Sequence, residues 1–168
     1  MPQDSLRIPF EFERQLYFIR PLLEVQALLD ESALIHEGWQ VLCNPTGARG
    51  DVPWDEYLKR LMRVVDNGPK WGVVLIFESK NQKPLGYTVL QDDTQFPQKR
   101  TLLIYAAYSN NKDPHISRAA MAYHEMWARR MGYVELHAQS RRLNGAAMRL
   151  FRRRLGFTPA CVVFTKTL

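Results

Sequence analysis

RTLLIYAAYSNNKDPHISRAAMAYHEMWARRMGYVELHAQSRRLNGAAMRLFRRRLGF, residues 100–157, carries the reading that decides the fold. It opens on an apolar, β-rich run, Thr101 to Ser109. From Ile116 the period changes: Ile116, Ala120, Tyr123, Trp127 and Met131 share one helical face while Arg118, Glu125 and Arg129 point elsewhere. Gly132 closes that helix. Tyr133 to Gln139 then reads as a short strand, Leu143 to Leu155 as a second helix and Gly156 as its stop.

Working outward toward the front, WGVVLIFE, the turn NQKP and LGYTVLQ predict an antiparallel hairpin. A polar reversal over 92–99, with Pro97, leads into Thr101 and makes a three-strand meander. Before it, Asp51 can cap a helix with Pro53 in its first turn and an apolar stripe of Trp54, Leu58, Leu61 and Val65. Residues 39–50 read as an exposed loop punctuated by Asn44, Pro45, Gly47 and Gly50. Pro21 predicts the first turn of an earlier helix that carries Leu22, Val25 and Leu29 and ends at Gly38, and residues 8–19 predict one opening strand. Past the quoted stretch, residues 160–165 supply a last strand. The order implies one α/β (α+β) domain over 1–168: a mixed sheet flanked by helices.

Composition bounds the chemistry. The chain has 168 residues with 46% hydrophobic residues, enough for one substantial core. No window approaches the roughly 18 apolar residues of a membrane span and no apolar leader is visible, so the expectation is a soluble, cytoplasmic protein with no membrane partner. Cys43 and Cys161 have no zinc spacing and read as buried free thiols, and the histidines do not combine with acids into a metal set. Trp39, Trp54, Trp71 and Trp127 read as core or interface anchors. Lysine and arginine exceed aspartate and glutamate by 23 to 17, which favours an anionic partner.

The end of the stretch resembles the GNAT acyltransferase superfamily, whose members use acetyl-CoA or another acyl-CoA. Asn144, Ala147, Leu150, Phe151 and Leu155-Gly156-Phe157 follow the family's order of N-x-x-A, an apolar-aromatic run and L-G-F, although the helix is one residue longer. WARRMGY, residues 127–133, is similar to the ending of its cofactor helix. The resemblance covers residues 71–168 by motif and the front third by element count. It implies a mainly antiparallel GNAT-like sheet and acyl transfer, acetyl above all, to a primary amine on a small molecule or a protein.

The family's cofactor loop wraps a pyrophosphate with backbone amides at a helix N-terminus, where unpaired N–H groups and the helix dipole favour an anion. By the same count Lys112 stands at its Arg/Gln position, His115 at the first glycine and Ser117 at the second. His115 brings a side chain where phosphate approaches and Pro114 lacks a donor, while Lys112 and Arg118 supply charge and Ser117 can cap. Tyr105, Ala106 and Ala107 are implied to line the pantetheine arm, the Ala107 amide to meet the acyl carbonyl, and Asn144 to orient cofactor or acceptor.

Catalysis requires a base for the amine and an acid for the thiolate. RTLLIYAAYS has no carboxylate, and the family's usual tyrosine is Phe151 or Arg152 here. Period two places Glu135, His137 and Gln139 on one face, so His137 is either a general base or a satisfied surface histidine, and Tyr105 or Tyr108 is the candidate acid. Arg149, Arg152 and Arg153 share a helical face that suits a ribose phosphate, a nucleic-acid backbone or plain solvent. The altered loop and catalytic positions keep a second reading open, a catalytically inactive GNAT-fold module in a protein assembly such as a virus particle.

Overall fold

The computed structural model describes residues 6–44, 47, 49–110, 113–138, 149, 152, 153 and 155–158. Lys112, Asn144, Cys161, most of the helix expected over 143–155 and the strand expected over 160–165 lie outside the described residues.

The described elements are β1 (Ile8–Phe12), β2 (Gln15–Leu22), α1 (Val25–Asp30), α2 (Ser32–Leu42), α3 (Trp54–Asp66), β3 (Gly72–Ser79), β4 (Pro84–Asp92), β5 (Thr101–Ser109), α4 (Pro114–Arg130) and β6 (Glu135–Ala138). They build a six-stranded sheet in the order β1-β2-β3-β4-β5-β6. Every pairing is antiparallel except β5 with β6, which is parallel because α4 crosses between them. The meander, α4 and the strand after it stand where the sequence puts them.

Two apolar layers hold the sheet. One face packs Val74, Ile76, Tyr87, Val89, Leu103 and Tyr105 against residues of α1, α2 and α3. The other packs Val73, Leu75, Phe77, Leu90 and Leu102 against α4. Strand β3 is buried on both sides, hence its uninterrupted run GVVLIFE.

The front of the chain departs from expectation in four places. Residues 8–19 are not one strand but the β1–β2 hairpin, turned by Glu13 and Arg14 in left-handed backbone conformations, φ 48° and 66°. Neither residue is the Asn or Gly that announces such a turn. Pro21 does not begin a helix. It lies in β2 opposite Leu75, beyond the last residue of β2 that pairs with β1, so its missing N–H leaves no ladder bond unmade. The early helix is divided into α1 and α2, and α2 runs through Gly38 to Leu42 instead of stopping. Gly38 serves packing: a Cβ there would stand 2.3–2.7 Å from the Tyr87 ring and hydroxyl. Finally, Pro53 and not Asp51 occupies the N-cap of α3.

Candidate active site

Strand β5 forms the middle of the site, and one surplus residue shapes it. Val89 pairs with Ala106 and Leu90 with Ile104, so Tyr105 is an extra residue on β5, a β-bulge. Asn110 donates its backbone N–H to the Leu85 carbonyl. Ladder alternation from that bond makes Tyr108 and Ala106 the residues that exchange bonds with β4, and turns the backbone groups of Ala107 and Ser109 to the other side. On that side β6 pairs with β5 from Thr101 to Ile104, and no described residue pairs with β5 beyond that point.

The bulge also sets the side chains. Tyr105 and Ala106 are both buried in the layer under α1–α3, and Ala107 is exposed. The Tyr105 ring carries two guanidinium groups, Arg60 at 3.7 Å and Arg49 at 4.4 Å from its centroid. Arg49 Nη1 donates to the Tyr105 carbonyl at 2.7 Å, and burial lowers the Arg49 pKa from its ordinary value. Tyr108 donates to Glu37 Oε2 at 3.4 Å, and burial followed by the Glu37 charge raises its phenol pKa.

Helix α4 starts beside this strand. Asp113 caps it by accepting the His115 N–H at 2.9 Å, with Pro114 in the first turn. The His115 imidazole lies against the β1–β2 hairpin: Nδ1 is 2.6 Å from the Tyr17 hydroxyl, Nε2 is 3.2 Å from Glu13, and the ring meets Phe12 edge-on. Arg118 donates through Nη1 and Nη2 to the Glu13 carboxylate. Ser117 is half-buried, and its hydroxyl has no hydrogen bond among the described residues.

Strand β6 brings Glu135 and His137 together as period two requires, His137 Nε2 standing 3.2 Å from Glu135 Oε2. His137 Nδ1 lies 3.8 Å from Asp93. The Glu135 carboxyl pKa is lowered first by its hydrogen bond from Lys99. Asp93 in turn lines a cleft of about 660 Å³ between α3 and the strands, whose walls include Arg60, Arg63, Trp71, Gln91 and Tyr105. Trp71 is therefore not a core anchor; it is 65% exposed at this cleft.

No protein-family model matches the sequence, and no curated protein matches it. Solved structures do match the fold. Ribosomal-protein-alanine N-acetyltransferase from Brucella melitensis biovar Abortus 2308 superposes with a TM-score of 0.63 at 14% identity, covering 90% of this chain and 99% of that one. Aminoglycoside 6'-N-acetyltransferase AAC(6')-Ih from Acinetobacter baumannii gives 0.62 at 15% identity over 90% and 99%. Aminoglycoside N-acetyltransferase AAC(6')-Iy, solved in complex with CoA, gives 0.65 at 13% identity over 99% and 98%. The chain has the GNAT fold.

Within this GNAT fold the expected residues fall into separate groups. Tyr105, Ala106, Ala107 and Tyr108 run along β5, and His115, Ser117 and Arg118 sit on the first turns of α4. His137 lies beside Leu103 on β6, two strand positions before the bulge residue Tyr105. Arg149, Arg152 and Arg153 are all exposed. The structure adds residues that sequence reasoning passed over. Glu13 was hidden inside an expected strand and Arg49 inside an expected loop. Arg60 and Arg63 were legible as a polar stripe on α3, but nothing in the sequence placed that stripe against Tyr105.

Proposed function

We propose that the chain is an acyl-CoA-dependent N-acyltransferase that moves an acyl group, acetyl in the first instance, to a primary amine. The observation that carries this reading is the backbone of β5: past the bulge, Ala107 and Ser109 turn their amides and carbonyls out of the β4 ladder, beside the start of α4. Extended backbone whose Ala107 N–H points out of the ladder suits an amide-bearing pantetheine arm, and the first turn of a 17-residue helix suits its phosphates. The named neighbours AAC(6')-Iy and AAC(6')-Ih are N-acetyltransferases of aminoglycosides, and the first was solved with CoA, which supports the same chemistry here.

Bound acyl-CoA supplies a thioester activated toward amines. The Ala107 N–H is assigned to the acyl oxygen, where a fixed donor stabilises the charge that develops on attack. His137, whose Nε2–H is held by Glu135, takes the proton of the attacking amine at Nδ1, the nitrogen that faces Asp93. Tyr108, which keeps its proton, is assigned to the departing thiolate. Ser117, His115 and Arg118 face the phosphates from α4, joined by Lys112, and Asn144 orients cofactor or acceptor.

One observation favours the second reading, a GNAT-fold interaction module without catalysis: Arg118 and His115 are already engaged by Glu13. Calorimetric titration with acetyl-CoA and CoA separates the two. Micromolar binding abolished by Ser117→Glu, followed by turnover with an amine, supports the transferase. Absence of heat with both ligands overturns it in favour of the module.

A further inference from the structure

The cleft between α3 and the central strands is charged asymmetrically. Along α3, Glu56, Lys59, Arg60 and Arg63 fall on the helical face that lines it. Lys59 is paired with Asp55 at 3.2 Å, and neither Arg60 nor Arg63 has a carboxylate partner among the described residues. Arg60 is held by neutral groups, donating from Nη2 to Gln91 Oε1 at 2.8 Å and stacking on Tyr105. Arg49 stacks on the same ring, again with no described carboxylate. Like charges gathered around one aromatic ring repel, and an anion brought against Arg60 and Arg63, which both line the cleft, gains charge complementarity and bidentate hydrogen bonds.

The opposite wall is acidic. Asp92 is committed: it accepts from Tyr133 Oη at 2.9 Å and from the Thr94 N–H at 2.9 Å. Asp93 is turned toward His137. An ammonium group is attracted to this side, and a negative group to the other.

We infer that this cleft selects an acceptor amine bearing its own anionic group, a carboxylate or a phosphate, which Arg60 and Arg63 hold while the amine faces Asp93 and His137. The inference rests on the acyltransferase reading above and adds the substrate class to it. A polycationic amine is disfavoured by the arginine wall.

The test uses the full chain and the fluorescence of Trp71, which lines the cleft; loss of the signal in Trp71→Phe identifies the reporter. Phosphoethanolamine, β-alanine, ethanolamine and spermidine are titrated, then offered as acceptors with acetyl-CoA. The expected result is at least tenfold tighter binding of an anionic amine than of ethanolamine, the same order in kcat/KM, and at least a tenfold rise in KM for that amine in Arg63→Gln. Comparing phosphoethanolamine with β-alanine tells phosphate from carboxylate. Transfer to ethanolamine or spermidine with equal or greater efficiency overturns the inference and leaves the transferase reading standing. Arginine-dependent binding of the anionic amines without any transfer upholds the ligand class and overturns the transferase reading.

Discussion

Glu13 accepts hydrogen bonds from both terminal nitrogens of Arg118, at 2.9 and 3.0 Å, from the tip of a hairpin 105 residues earlier in the chain. The same carboxylate stands 3.2 Å from His115 Nε2. The protein thus presents its own acid to the basic side chains on the first turns of α4. An exposed pair of this kind is worth about 0–1 kcal/mol. Glu13→Gln is accordingly expected to tighten acetyl-CoA binding by about two- to fivefold, with a steeper salt dependence, read by calorimetry. An unchanged or weaker affinity would show that Arg118 serves the hairpin alone.

The Ala107 amide is testable because proline removes it. Ala107 stands opposite Thr88 but turns its N–H away from β4, so Ala107→Pro removes no bond of the β4 ladder and should leave the melting temperature within a few degrees of the parent. Loss of a fixed donor to a developing oxyanion lowers kcat by roughly 10²–10³-fold. A folded variant with full kcat rules out that role.

For His137, general-base catalysis predicts a fall in kcat of about 10²-fold or more in His137→Gln, with acetyl-CoA affinity retained. Asp93→Asn should reduce activity less, since Glu135 still meets the other ring nitrogen. If His137→Gln turns over normally, the histidine is a surface residue and the proton leaves by another route.

His124 makes a prediction about stability. It is fully enclosed between α4 and the sheet, with Nε2 3.0 Å from Thr88 Oγ1 and Nδ1 without a partner among the described residues, and burial pushes its pKa down from 6.5 to about 3. Below pH 6.5 the unfolded chain takes up a proton that the folded chain refuses, so stability falls as pH drops from 6.5 toward 3. The slope approaches about 1.4 kcal/mol per pH unit, or about 2 kcal/mol between pH 7 and 5. Denaturant titrations at those two pH values should show that difference shrinking by about 2 kcal/mol in His124→Gln, whose amide can still reach Thr88. An undiminished difference would assign the acid sensitivity to other groups.

How far the sequence disclosed this arrangement depended on whether the deciding forces were local. The β3–β4–β5 meander, α4 and the pairing of Glu135 with His137 follow from periodicity, which acts over a few residues. The Glu13–Arg14 turn was invisible because it uses residues that tolerate left-handed backbone without advertising it. Gly38 read as a stop because its reason to be glycine is Tyr87, a residue far along the chain. The bulge at Tyr105 and the stacking of Arg49 and Arg60 on it are products of tertiary packing, and no spacing rule encodes them.

That bulge makes β5 sensitive to counting. Val89 faces two residues where a regular ladder supplies one, so the strand changes parity at Tyr105 and keeps the new parity to Ser109. Deleting Tyr105 would remove the surplus residue and leave Ala106 opposite Val89 and Ala107 opposite Thr88 as before, so the ladder would become regular without exchanging its sides. Deleting Ala107, one step beyond the bulge, would instead bring Tyr108 opposite Thr88, turning its ring toward α4 and its amide out of the ladder. The same loss of one codon is therefore silent or disruptive according to which side of the bulge it falls on, and the pair of deletions probes the order of the backbone rather than the chemistry of any side chain.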